Sequence, residues 1–506
     1  MLRRAWAYWC LAIALSLATA APARPVGTAD PVGVWLFDGA PSYPGVTMMQ
    51  VARRGARIEG TLTTAWYGPI AMRNAVLRGG TLTFDVRNLN DPAHPTRRWT
   101  ARFAGRAVRL RGDFWYAHTL QTGRRGDAAQ ASARAFTFAA PLPVLGTLPD
   151  DGLARTPPMG WSSWNAFAAR IDDRTIRSIA DAMVASGMRD AGYIYVNIDD
   201  GWQGTRDAAG MLRPNAKFPD MKALADYVHA RGLKLGLYSS PGPKTCAGYA
   251  GSYGHVAQDA RSFAGWGVDY LKYDLCSGEW FYADADSVKR AYHAMGVALR
   301  ATGRPIVFSL CQYGRFDVAD WGRSVGGHLW RTTGDITDDY KTMSDIGFER
   351  NPKFPHAGPG GWNDPDMLEI GNGGMSEDEY RTHMTLWAIQ AAPLLMGHDL
   401  RTTTPAAAAL LDHDEVIAID QDALGVQGRP LSRRDGLEVW RKPLAGGAVA
   451  IALFNRTGAP TAIALPDRPA AAHLRDVWNR RDLPATTQAL TVAAHGAVLV
   501  RLAPAR

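Results

Sequence analysis

The sequence predicts a multidomain chain: a central (β/α)8 barrel, an all-β domain before it and an antiparallel β-sandwich after it. Three observations carry this expectation. The 506 residues are too many for one ordinary core, so two or three domains are expected. Strand-like and helix-like segments alternate between about residues 152 and 420, whereas the segments on either side alternate apolar with polar at the period of strands. A short, aromatic, apolar run that ends on a carboxylate also recurs through the middle of the chain. Tyr270-Leu271-Lys272-Tyr273-Asp274 is the clearest case. Tyr193 to Ile198 leads into Asp199-Asp200, Leu329-Trp330-Arg331 into Asp335, and Gly361-Trp362-Asn363 into Asp364 and Asp366. Desolvation opposes an ionised side chain inside a buried strand, so acids at strand ends mark a polar, water-accessible rim. Several acids on one rim, with Trp and Tyr between them, point to a sugar pocket worked by a carboxylate pair.

Taken in order, residues 1–23 read as a secretory signal peptide. Arg3 and Arg4 form a basic start, Trp6 to Leu17 is too short to span a bilayer, and Ala18-Thr19-Ala20 and Ala21-Pro22-Ala23 offer small-residue cleavage sites. A secreted or periplasmic mature protein without a membrane span is expected. Residues 30–148 read as an all-β domain, through runs such as Thr81 to Val86 and Val108 to Trp115 punctuated by Gly and Asn; a closed barrel and a sandwich are both open. Its Trp35, Trp66, Trp99 and Trp115 are available for sugar binding, although core packing is the commoner use of such rings. Pro141 to Asp151 is a linker. The barrel, residues 152–424, has helical patterns at Thr175 to Met188, Met221 to Ala230, Val256 to Phe263 and Val288 to Leu299. Its eight strands are expected near Met159, Val196, Leu237, Leu271, Val307, Trp330, Trp362 and Leu394. Residues 425–506 return to strand patterns, at Leu437 to Trp440, Ala448 to Phe454 and Ala497 to Leu502.

Composition excludes several classes. Hydrophobic residues at 46% and charged residues at 21% fit a soluble globular chain. The net charge of +8 falls to +6 without Arg3 and Arg4, and the Arg residues are scattered, so a nucleic-acid partner is not expected. Cys10 lies in the signal; Cys246, Cys276 and Cys311 leave room for one bridge and one thiol. Without CxxC or HExxH, no metal site is expected. Asp412-His413-Asp414-Glu415 reads as a solvated helix face, and Asn455-Arg456-Thr457 as a glycosylation sequon by pattern only.

The motifs resemble the family 27 glycoside hydrolases. Thr156 to Asn165 looks like that family's opening strand, followed in order and spacing by VNIDDGW (Val196 to Trp202), KTCAG (Lys244 to Gly248), GVDYLKYDLC (Gly267 to Cys276), GPGGWNDPDML (Gly358 to Leu368) and AIDQDALG (Ala418 to Gly425). The likeness covers roughly residues 155 to 430 and the trailing β domain. It implies a retaining α-galactosidase acting on terminal α-galactosyl groups of oligosaccharides or polysaccharides, with Asp274 as nucleophile and Asp335, from the WR-x-x-x-D pattern, as general acid/base. Such a mechanism needs two carboxyls roughly 5–5.5 Å apart. Lys272, on the same strand face as Asp274, should keep it ionised, while Asp335 must hold a proton and should have the raised pKa. The likeness further makes Asp199 and Asp200 a clamp on O6 and O4, Trp164 a stacking platform, and Arg331 and Asp366 ligands of the hydroxyls near C2. It also implies a Cys246–Cys276 bridge, worth on the order of 3 kcal/mol, and leaves Cys311 a buried thiol. No cofactor is implied, because carboxylates suffice for the chemistry.

The chain departs from the family pattern in Ser309-Leu310-Cys311-Gln312-Tyr313-Gly314, where α-galactosidases often carry Cys-Glu-Trp. Gln312 stands for an acid that would contact the 2-hydroxyl and can still bind it. Tyr313 stands for a Trp of the pocket wall, and Arg315 is placed to reach this region. Other sugar specificities in the family therefore stay open: β-L-arabinopyranosidase, isomaltodextranase or α-N-acetylgalactosaminidase. A longer acid at position 199 is expected of arabinopyranosidases, so Asp199 favours galactose. A non-catalytic carbohydrate-binding protein would have lost Asp274 or Asp335, and both are present.

Overall fold

A computed structural model describes residues 30–38, 45–64, 66–87, 96–114, 117–353, 356–467 and 473–503. The signal-peptide expectation and Trp115 lie outside these residues. The chain forms two compact units, Met1–Thr64 with Gly68–Phe136, and Ala65–Tyr67 with Thr137–Arg506. Among the described residues no helix is long and apolar enough to cross a membrane.

The first unit is a single nine-stranded antiparallel sheet. It meanders up and down until Ala117–Gly126 returns to pair with the first strand, Gly33–Leu36, which leaves the consecutive strands Gly68–Ala71 and Arg73–Arg78 as its two ends. This connectivity fits a barrel with one open seam rather than two stacked sheets. Trp35 and Trp99 are wholly buried and Trp99 stacks on Phe84, so both rings are core. A helix that strand patterning did not reveal, Ala128–Ala133, is started by a capping box between Asp127 and Gln130; six residues are too few to show a helical period.

The second unit contains eight parallel strands: β1 Met159–Ser162, β2 Tyr195–Asn197, β3 Lys234–Ser239, β4 Tyr270–Asp274, β5 Val307–Cys311, β6 Leu329–Arg331, β7 Trp362–Asp364 and β8 Leu394–Met396. Each pairs with its sequence neighbour from β1 to β7, β8 returns to β1, and Leu368 bridges just past β7 to Met396 of β8. The helices pack on the outside, the first two through one apolar stripe each. In α1, Asp173–Ala185, that stripe is Ile176, Ile179, Ala180 and Met183, and Asp172 caps the helix by accepting from the Thr175 amide. In α2, Met221–His229, it is Met221, Leu224, Ala225 and Val228. Between β3 and β4, α3, Val256–Trp266, ends on left-handed Gly267. Between β4 and β5, α4, Ala285–Ala301, is the longest, and α5, Glu377–Ile389, lies between β7 and β8.

One residue near the start of each of five strands (Tyr195, Tyr270, Val307, Leu329 and Trp362) joins an apolar cluster that closes the N-terminal end of the barrel. At the other end four strands finish on polar or charged residues, Asn197, Asp274, Arg331 and Asp364.

The C-terminal strands form a six-stranded and a two-stranded sheet. Val439, Ile451, Leu453, Ile463 and Val492 fill the space between the sheets, while Trp440, Ala452, Phe454 and Leu499 join the main core. Tertiary burial decides the meaning of two local patterns here. Asn455 is buried and its amide nitrogen donates to Ala459, Val492 and Ala493 carbonyls, so the sequon is a structural turn. His413 is buried edge-on against Trp478 and Glu415 pairs with Arg475, so the C-terminal sheet docks here, while Asp412 and Asp414 keep the solvated face that the pattern predicts.

Candidate active site

At the C-terminal ends of the strands lies a cavity of about 670 Å³ lined by Trp164, Asp199, Asp200, Lys272, Asp274, Arg331, Asp335 and Asp366, among others. Each is there because its strand ends there. Asp274 is the last residue of β4, and Lys272 lies two positions earlier on the same face. Arg331 is the last residue of β6, and Asp335 follows four positions on. Asp199 and Asp200 follow β2, and Trp164 opens the short helix after β1.

Lys272 Nζ donates to Asp199 Oδ2 at 2.8 Å, and the Asp199 amide donates to Ser163 Oγ at 2.9 Å. Asp200 Oδ2 accepts from the Ala247 amide at 2.7 Å, but its Oδ1 is buried without a partner. Burial pushes the Asp200 carboxyl up to about 7 against that hydrogen bond, and the charges of Asp199 and Asp274 add to the rise. Two adjacent carboxylates are thus held by making one an ion pair and the other partly neutral, which leaves an acceptor for a sugar hydroxyl.

Burial raises the pKa of Asp274, while the Lys272 charge and a hydrogen bond from Tyr313 oppose the rise. Arg331 Nη2 lies 3.0 Å from both Asp335 Oδ1 and Asp366 Oδ2. Asp366, at φ +88°, is turned into place by bonds from the Ile336 amide to its carboxylate and from its own amide to Asp364. The expectation that Asp335 carries the raised pKa is reversed. Although partial desolvation by the cavity walls acts to raise it, Arg331 and Lys272 bring it below the usual value. Its side chain is 69% exposed, so bulk water also stabilises the charge until a substrate displaces it.

Cys246 and Cys276 form a disulfide beside Asp274, and Cys311 is a buried thiol. Cys246, Asp274 and Cys276 also place ligand atoms close together, but the disulfide occupies both sulfurs. Gln312 does not join the cavity lining: it is wholly buried, with its amide turned to donate to the Arg331 carbonyl at 3.1 Å. Arg315 instead pairs with Glu279 at 2.6 Å.

The chain carries a match to the family described as alpha galactosidase A over residues 156–422. It belongs to this family of glycoside hydrolases. A second match, to the alpha galactosidase C-terminal beta sandwich domain, covers residues 434–502. The alpha-galactosidase of Cyamopsis tetragonoloba is 50% identical over 314 residues, which are 61% of this chain and 75% of that protein. Alpha-galactosidase I from Mortierella vinacea superposes with a TM-score of 0.68 at 33% identity, covering 71% of this chain and 99% of its own. A β-L-arabinopyranosidase from Geobacillus stearothermophilus superposes with a TM-score of 0.62 at 26% identity, covering 70% and 98%.

In this glycoside hydrolase the cavity includes residues that sequence reasoning did not single out: Tyr238, Asp338, Glu369 and Asn372. Glu369 and Asn372 stand directly after the DPDML run, which was a usable signal. Asp338 was not legible: it reaches the wall because Tyr380 and the Gly374 amide, far along the chain, hold its carboxylate.

Proposed function

We propose that the protein is a secreted, retaining exo-glycosidase that removes terminal α-D-galactosyl residues from oligosaccharides or polysaccharides. The observation that carries this is that Asp274 and Asp335 open into one cavity with the Asp199–Asp200 pair, in a chain whose relatives are named alpha-galactosidases.

In the first step a carboxylate oxygen of Asp274 bonds to the anomeric carbon, the glycosidic C–O bond breaks, and Asp335 gives its proton to the departing oxygen. In the second, Asp335 takes a proton from water as that water attacks the anomeric carbon, and Asp274 leaves as a carboxylate. Substrate entry drives water off Asp335, which favours its protonated form. Once Asp274 is esterified its negative charge is gone, and Asp335 becomes a weaker acid-holder, suited to act as base. Arg331 and Asp366 receive the hydroxyls near C2, Trp164 stacks on the ring, and the short side chain of Asp199 leaves room for a hydroxymethyl group, which favours galactose over arabinopyranose. Gln312 acts from behind the wall.

Initial rates on p-nitrophenyl α-D-galactopyranoside, β-L-arabinopyranoside, α-N-acetylgalactosaminide and α-D-glucopyranoside test this. The α-galactoside is expected to dominate, with α-galactose the first product seen by NMR. Asp274→Asn is expected to lower kcat on the order of 10⁴-fold or more with an unchanged circular dichroism spectrum. Dominance of another sugar withdraws the galactose assignment, and inverted product withdraws the mechanism.

A further inference from the structure

The phenol of Tyr313 touches the carboxylate proposed as nucleophile: its Oη donates to Asp274 Oδ1 at 2.7 Å. Tyr313 is one of the positions where the chain departs from the family pattern. Its backbone is left-handed, at φ +64°, a conformation that a bulky side chain rarely adopts. Such strain persists only where surroundings enforce it, and it gathers at functional sites. Three contacts hold this residue and its turn. The Arg331 guanidinium carbon lies 6.0 Å from the ring centre, the Gly314 amide donates to the Arg331 carbonyl at 3.0 Å, and Cys246 Sγ lies 3.7 Å from the hydroxyl. Burial and the neighbouring Asp274 charge push the phenol well above its ordinary pKa, so it stays a donor throughout the working range.

We propose that Tyr313 is a further catalytic residue: a fixed donor that holds one oxygen of Asp274 and leaves the other to attack. This rests on the reading of Asp274 as nucleophile. When Oδ2 bonds to the anomeric carbon and the leaving oxygen departs with the proton of Asp335, Oδ1 becomes the carbonyl oxygen of the glycosyl ester and keeps the Tyr313 bond. When water attacks and the C–Oδ2 bond breaks, the returning negative charge meets that donor already in place. The phenol proton never leaves Tyr313, so no further reactant is needed.

The charged and titratable groups that face Asp274 are Lys272 on its own strand, Asp199 and Asp200 after β2, Tyr238 on β3, Tyr292 on α4, Cys311 on β5 and Asp335 after β6. Lys272 and Tyr313 are the two that favour the ionised carboxylate; Asp199 and Asp335 oppose it. Removing the hydroxyl therefore raises the pKa of Asp274.

The test is Tyr313→Phe, with kcat/KM measured against pH on the panel glycoside that the wild type cleaves best. A charge-assisted hydrogen bond lost in the transition state predicts a fall of about 10- to 100-fold, with the acid limb displaced to higher pH. A ring that only fills space leaves the pH profile where it was, and that result overturns the proposal. If Tyr313→Phe does not fold, Tyr313→Trp, which restores the family's ring and also removes the hydroxyl, is read by the same limb. The two readings fail separately. A wild type that prefers another sugar overturns the galactose assignment but leaves Tyr313 testable on that sugar, because the contact is to the carboxylate. Full activity in Asp274→Asn overturns both.

Discussion

Glu369 sits in the cavity wall at 2% exposure, held by the side-chain amides of Asn165 and Asn372. Burial pushes its carboxyl from 4.5 up to about 7. The folded protein therefore holds a proton that the unfolded chain has already released between those values, and stability falls as pH rises through this window. Glu369→Gln does not titrate. Wild type is expected to lose about 2 to 3 kcal/mol relative to the variant between pH 5 and pH 8, read from urea denaturation at both. The fixed cost of the mismatched amide cancels in that difference. Glu369 was legible as a polar residue near a strand end. Its protonation was not, because that depends on burial by residues distant in the chain, which outweighs the two amide donors that favour the ionised form.

At the scale of elements, the Cys246–Cys276 bridge ties the loop after β3 to the turn that follows β4, across a separation of 30 residues. Closing a loop of that size stabilises the fold by about 3 to 4 kcal/mol in the chain-entropy account. Cys246→Ser with Cys276→Ser is expected to lower the thermal midpoint by several degrees, measured by calorimetry. It is also expected to lower kcat/KM, because the bridge stands against Tyr313 and the end of β4. An unchanged midpoint would show that packing alone holds the two loops. The strands themselves were legible from periodicity: all eight barrel strands fall where the alternation places them, since a buried parallel strand flanked by amphipathic helices leaves a local pattern.

At the scale of the whole molecule, Lys442 of the C-terminal strand Leu437–Pro443 is fully buried. It donates to the Ile419 and Ala388 carbonyls at 2.6 and 3.1 Å and to that of Asp420 at 3.3 Å. Burial lowers its pKa to about 8 and raises that of Asp420 to about 7, each opposed by the other's charge. Removing Lys442 leaves three buried carbonyls without their donor and takes a nearby positive charge from Asp420. Lys442→Ala is expected to cost about 1 to 3 kcal/mol or more, through the donor lost to those carbonyls, and leave the KM of the folded fraction unchanged, since Lys442 is absent from the cavity lining. A shifted KM would show that the C-terminal sheet shapes the site as well as supporting the barrel.

The sequence by itself determined that eight strands alternate with helices, that acids gather at their C-terminal ends, and that the motifs run in the family's order. These are properties of neighbouring residues: a period, and a carboxylate that cannot end a buried strand except at a wet rim. Only the tertiary structure decided which groups face one another. It turned Gln312 away from the cavity, gave Arg315 to Glu279, buried Asn455 and His413, lowered the Asp335 pKa beside Arg331, and set the Tyr313 hydroxyl on Asp274. Burial and charge at one atom are sums over residues distant in the chain, and no local pattern contains them.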